Sequence, residues 1–176
     1  EFVTHEGKFR PSIDGLGIYP RPVQDEIPIW IASGGTPSSS IRAGQLGLPM
    51  TLAILGGNPL AFGRVVALYR QAAVEAGHDL SKMKVAINSH GYIAQSNEEA
   101  IEKFFPPTQS VMNKIGRERG WPPYTKESFL QANGMDGAIY AGDPYTIAKK
   151  IILLKEHLGI NRFYLQTPVG SMDHAD

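Results

Sequence analysis

The sequence predicts an α/β fold built on a parallel sheet, and three observations carry that prediction. Short apolar runs recur along the chain, glycine pairs or polar turns close them, and amphipathic stretches of helical spacing lie between them. A parallel crossover needs a dozen or more residues, which a helix supplies, so this alternation calls for parallel pairing. Four strands are legible in this way, whereas a closed (β/α)8 barrel needs eight. The chain is therefore either a small open sheet or half of a barrel.

Residues 1–24 are rich in Gly and Pro without a sustained period, which predicts a surface loop. Residues 28–32 then form a nearly continuous apolar run ending at Ser33, Gly34 and Gly35, the profile of a strand buried on both faces. Thr36, Pro37, Ser38 and Ser39 supply a cap and a proline at the first helical position, and the helix they open stops near Gly47. The second unit repeats the plan: a strand over residues 50–55, Gly56 and Gly57, Asn58 as cap, Pro59, and a helix over residues 60–76 closed by Gly77. Phe62, Val65, Val66, Leu68, Tyr69, Ala72, Ala73 and Ala76 fall on one face of that helix.

The third strand spans residues 85–94. Ser96 and Glu99 form a capping box for a helix expected to end before Pro106 and Pro107, because proline lacks the N–H that a helix interior uses. A polar, helical insertion over about residues 106–137 follows, with helices expected at 109–119 and 126–131 within a single domain. Asp143 and Pro144 open the last helix, which runs to Leu158 before Gly159, and residues 162–166 form the fourth strand.

Composition excludes several function classes. Lysine plus arginine and aspartate plus glutamate are balanced at 17 each, so no basic footprint for nucleic acid or anionic membrane is present. The absence of cysteine removes disulfides, thiolate nucleophiles and cysteine-based metal sites, and fits a cytoplasmic protein. No apolar run reaches the ~18 residues of a membrane-spanning helix. His5, His78, His157 and His174 are scattered without metal-ligand spacing, so no metal site is expected. A start at Glu1 instead of methionine points to a fragment or a processed product.

Two places carry candidate chemistry. A strand ending in Gly34 and Gly35 lets a ligand approach the backbone, and the helix after it offers free N–H groups and a positive dipole end, with Thr36, Ser38 and Ser39 hydroxyls beside them. That set suits a phosphate, and it equally suits a tight turn with an ordinary serine cap. His90 sits inside the third strand next to Asn88 and Ser89, a polar group where a buried strand is usually apolar. It is either a core histidine satisfied by hydrogen bonds or a contact to substrate or cofactor.

Residues 19–24 and 27–35, then residues 47–50, 68–70 and 76–79, the strand at Val85 and the helix start at Gly142, Asp143 and Pro144, together resemble the luciferase-like flavin-dependent monooxygenases. The resemblance covers nearly the whole chain and implies that its strands are the last four of a (β/α)8 barrel. It implies an oxidoreductase that uses reduced FMN and O2 on a small organic substrate, with a flavin reductase as partner, or alternatively the deazaflavin F420 in hydride transfer. It places the cofactor against Gly34, Gly35, Thr36, Ser38, Ser39, Ile54 and Gly56, and leaves His90 as the one catalytic candidate. The family often carries an acidic residue near the position that Gly34 occupies here. A half barrel would leave two bare edges and a face formed by Ile31, Leu52, Ile87 and Leu165, which predicts a homo-oligomer or a longer chain that closes the barrel.

Overall fold

The computed structural model describes residues 2–172. Its centre is a five-stranded parallel sheet of β3 (Ile31–Ser33), β4 (Met50–Ala53), β5 (Val85–Ile93), β6 (Tyr140–Gly142) and β7 (Arg162–Gln166). β3 pairs with β4, β4 with β5, and β5 with β7, so the four strands legible in the sequence stand side by side in chain order. β6 continues the sheet above β7, pairing with residues 91–93 of β5. Helices α1 (Pro37–Gln45), α2 (Gly63–Glu75), α3 (Asn97–Arg119), α4 (Lys126–Ala132) and α5 (Pro144–Leu158) make the crossovers.

One apolar core lies between sheet and helices. Met50, Leu52, Ile54, Val85 and Ile87 from the strands meet Ala43 of α1, Val65, Val66, Tyr69 and Ala73 of α2, and Ile147, Leu154 and Leu158 of α5. Each large aliphatic side chain buried in this way contributes roughly 1.5 to 3 kcal/mol. The Tyr69 hydroxyl donates to the Leu48 carbonyl at 3.0 Å, pinning α2 to the start of β4. A second cluster, of Tyr92, Ala100, Phe104, Phe129, Ile139 and Ala141, lies under α3 and α4.

The core fixes which way each strand faces, and it corrects the predicted bare face. Leu52 and Ile87 are fully buried under the helices, and Ile31 and Leu165 pack against the same cluster. Side chains alternate across a strand, so the other face carries Ala32, Thr51, Ala53, Asn88, His90, Arg162, Tyr164 and Gln166. The inner face of this half barrel is thus small along β3 and β4 and polar along β5 and β7, while the bare edges stand where expected, on β3 and β7.

Three local expectations also need correction. Residues 1–24 were expected as loop; β1 (Phe2–His5) and β2 (Ile13–Gly17) instead form an antiparallel hairpin with a register slip between Val3 and His5. Helix α3 runs straight through Pro106 and Pro107. Ala100, Phe104, Thr108 and Gly116 are buried at multiples of four, and this continuous stripe outweighs the proline penalty. Thr108 donates its hydroxyl to the Phe104 carbonyl at 2.6 Å. Strand β6 was not expected at all, although its residues are entirely buried.

The polypeptide between α4 and β6 is held by side chains. Asn133 donates to the Ala141 carbonyl and accepts from the Ala141 N–H, both at 2.8 Å. Lys150, buried on α5, donates from Nζ to the Ile139 carbonyl at 2.5 Å, and its Nζ lies 4.3 Å from the centre of the Tyr140 ring.

Candidate functional site

Parallel α/β sheets present ligands at the C-terminal ends of their strands, and here three adjacent strand ends form one rim. At the end of β3, the Ser33 hydroxyl accepts from the Gly35 N–H at 3.2 Å and draws the turn tight. Gly35 has φ +95°, and a Cβ there would lie 2.8 Å from a ring carbon of Phe62, so glycine is required twice over. Phe62 belongs to the segment after β4, so this contact joins the two rim loops. At Gly34 a Cβ would meet nothing within 4 Å, which leaves that backbone open to a ligand.

Helix α1 opens directly on this turn. Pro37 occupies its first turn, Thr36 stands at the cap with extended backbone, and the Thr36 side chain makes no capping bond. The side chains of Ser96, Thr125 and Asp143 do cap α3, α4 and α5. The first turn of α1 also lacks any acidic residue. Its positive end is therefore neither satisfied by a cap nor neutralised. Thr36 and Ser38 are exposed and Ser39 half-buried, all within one turn.

At the end of β4 one expectation fails. Ile54 is fully buried on the helix side, its N–H bonded to the Asn88 carbonyl at 3.0 Å and its carbonyl accepting from the Ser89 hydroxyl at 2.8 Å. Its side chain cannot face a ligand on the rim. The neighbours on the opposite parity, Ala53 and Leu55, turn to the inner face, and Leu55 is 61% exposed. Gly56 is exposed beside them, and Asn58 caps the following turn by accepting from the Leu60 N–H at 2.8 Å.

The third component was largely missed from the sequence. Asn88 on β5 stands opposite Tyr164 on β7, and His90 stands opposite Gln166, so four polar side chains line the inner face at its upper end. Arg162, one layer below, donates to the Tyr164 hydroxyl at 3.1 Å and lies over the rings of Trp30 and Tyr164. His90 Nδ1 is buried without a hydrogen-bond partner. Burial holds the His90 imidazole below its ordinary pKa and keeps it neutral at physiological pH. The signal for this wall was present in β7, where Arg162, Tyr164 and Gln166 alternate with Phe163 and Leu165.

A pH dependence follows from His90. Below its ordinary value near 6.5 the unfolded chain takes up a proton that folded His90 resists, so folding weakens as pH falls toward the depressed folded pKa. Wild type is expected to lose stability relative to His90→Asn over that acid window and to run parallel to it above about pH 7. Parallel urea-denaturation curves at every pH would contradict the assignment.

Among the described residues no group of three or more His, Cys, Asp or Glu could hold a metal ion, and no helix is long and apolar enough to cross a membrane. The strand order and the rim define the chain as half of a barrel-type α/β fold. It belongs to the luciferase-like monooxygenase family, whose model matches residues 1–162.

Solved structures agree on the fold. The monooxygenase RslO1 from Streptomyces bottropensis matches with a TM-score of 0.69 at 22% identity, over 98% of this chain and 50% of its own. The F420-dependent tetrahydromethanopterin reductase from Methanopyrus kandleri matches with a TM-score of 0.63 at 23% identity, over 94% and 52%. The oxygenating constituent of 3,6-diketocamphane monooxygenase from the CAM plasmid of Pseudomonas putida, a complex with FMN, matches with a TM-score of 0.56 at 20% identity, over 95% and 52%. The chain thus spans about half the length of these relatives. No curated protein sequence matches it.

Proposed function

We propose that this chain is the C-terminal half of a barrel oxidoreductase that binds a flavin-type cofactor by its phosphate, with a small organic substrate on the polar inner face. The observation that carries the reading is the uncapped start of α1 behind the open Gly34 and Gly35 turn. A phosphate there would accept from first-turn N–H groups and from the Thr36, Ser38 and Ser39 hydroxyls, in a field the helix dipole makes positive. The exposed backbone of Gly56 and the inward Ala53 and Leu55 would border the ring system. When bound as reduced FMN, the cofactor supplies the electrons that activate O2 for substrate oxidation. The chain's own part is to hold the phosphate, present a flat apolar patch and shut out water.

A second reading uses F420 in hydride transfer without oxygen, and a relative with that dependence supports it as directly as the FMN complex supports the first. Oxygen consumption coupled to product formation separates the two. The expected partners are the substrate, O2 and a flavin reductase in the first case. The bare edges of β3 and β7 favour closure by the other half of a barrel or by another copy.

The phosphate assignment has a direct test. FMN is expected to bind more tightly than riboflavin, and Ser38→Ala with Ser39→Ala together to weaken FMN by roughly 1 to 3 kcal/mol, the range for bonds to a charged group. Fluorescence titration reads both, and equal affinity for riboflavin and FMN would move the site elsewhere.

A further inference from the structure

Residues 2–17 make an arm whose place the core does not explain. β1 and β2 pair with each other and make no extensive contact with any other helix or strand. A two-stranded hairpin by itself is marginal in water, and this one leaves Phe2, Val3 and Leu16 exposed. At its tip the Phe9 side chain is 99% exposed. Lys8 and Arg10 flank it, and neither makes an ion pair among the described residues. Arg10 donates its Nε–H to the Pro11 carbonyl at 3.3 Å and keeps its other guanidinium donors. Glu6 is the one carboxylate of the loop, so the tip presents an aromatic ring inside a net positive charge.

The complement of that tip lies on the body of the chain. A groove of about 760 Å3 opens where the segment before β3 passes the start of β4, with Pro22, Ile27, Ile29 and Leu48 in its lining. Its charged residues are Asp25 and Glu26, both exposed and neither in an ion pair among the described residues. A ring held between two cations matches an apolar groove edged by two carboxylates, in chemistry and in sign. No residue of the tip lines the groove of its own chain. β2 leads the polypeptide from the tip back toward the groove, which sets the two apart by a strand length, roughly 13 Å for residues 13–17.

We propose that two copies of this chain exchange arms, with Phe9 of each seated in the groove of the other and Lys8 and Arg10 set against Asp25 and Glu26. A second copy brings the same tip and the same groove, so one two-fold axis fills both at once. A partner that fitted the tip alone would leave the apolar groove open to water. The groove lies at the ends of β3 and β4 opposite the rim, so the contact is independent of the phosphate reading of α1. It is also distinct from pairing at the bare edges of β3 and β7, which would join backbones.

Sedimentation equilibrium over roughly 1 to 100 μM tests the exchange, and the wild type is expected to dimerise within that range. Phe9→Asp should weaken the dimer on the order of tenfold or more, the effect of losing an aromatic anchor. Two charge reversals make the test specific. Lys8→Glu with Arg10→Glu sets an acidic tip against an acidic groove, and Asp25→Lys with Glu26→Lys sets a basic tip against a basic groove, so each double variant alone should be monomeric. Mixed in equal amounts they should dimerise again, because each tip then meets a groove of opposite sign, and this rescue also shows that both variants fold. Added salt should weaken the wild-type dimer. A wild type that stays monomeric, or a mixture that stays monomeric, overturns the proposal. A dimer indifferent to Phe9→Asp and to both reversals overturns it in favour of pairing at β3 and β7. Sedimentation of a monomeric wild type with phosphatidylserine vesicles, lost in Phe9→Asp, would overturn it by assigning the arm to a membrane surface.

Discussion

Gly44→Ala is expected to destabilise the chain by about 2 to 4 kcal/mol, although alanine is the better helix former by roughly 1 kcal/mol. Helices α1 and α2 cross with their backbones nearly touching at this residue. A Cβ on Gly44 would overlap the Tyr69 carbonyl oxygen and lie 2.9 Å from the Ala72 Cβ and 3.0 Å from the Ala73 nitrogen. Two of those three atoms are backbone, so no rotamer change relieves the overlap and the helices must part. Parting them strains the Tyr69 bond to Leu48 and moves the start of α1, so affinity for FMN should fall together with stability. Urea denaturation gives the first quantity and titration the second. A midpoint equal to or above wild type would show that the crossing is looser than the structure indicates.

Lys150→Ala is expected to cost a comparable amount, about 2 to 4 kcal/mol. Lys150 is 2% exposed, and its removal leaves the Ile139 carbonyl without a donor, opens a space beside Tyr140 and ends the contact between ammonium and ring. Its titration adds a signature that a cavity alone lacks. Burial lowers the Lys150 pKa from 10.5 to about 8, with Asp136 opposing the shift. Between those two pH values the unfolded chain still holds the proton and folded Lys150 has released it, so stability rises with pH across that window. Below it both states are charged and the slope vanishes. Subtracting the stability of Lys150→Met at each pH removes the other lysines and tyrosines. A difference that falls or stays level between about pH 8 and 10.5 would contradict the assignment.

Much of the fold was legible because strong local signals agreed with the tertiary structure. Asn58, Ser96 and Asp143 cap where their sequence positions said they would, and Gly77 and Gly159 take positive φ at helix ends. Signals failed where a longer-range contact decided the outcome. Pro106 and Pro107 read as a break, but the buried stripe from Ala100 to Gly116 holds α3 together. β6 is three residues long and has no period to detect.

For the site, the Gly34, Gly35 and Thr36 turn was legible, because a strand end and a helix start are both local. The inner wall was not, and neither was the orientation of Ile54. Both depend on strand parity, which a continuous apolar run such as residues 50–55 conceals and which only packing against α1, α2 and α5 resolves. In β7 the alternation of Arg162, Tyr164 and Gln166 with Phe163 and Leu165 stood in plain view. Applied across the register to β5, it would have assigned Asn88 and His90 to the same wall.

The paired bonds between Asn133 and Ala141 do more than fasten a turn. One amide side chain supplies the donor and the acceptor that a further strand would have brought to the outer margin of β6. The sheet is therefore sealed on that side by a side chain imitating a peptide group, and an incoming chain finds neither an N–H nor a carbonyl to pair with at Ala141. Aspartate in place of Asn133 could still accept but could not donate, which would unseal one half of the margin and leave the other closed. Growth of the sheet by addition of strands is thus directed away from β6, toward β3 and β7, the two margins that closing a barrel would use.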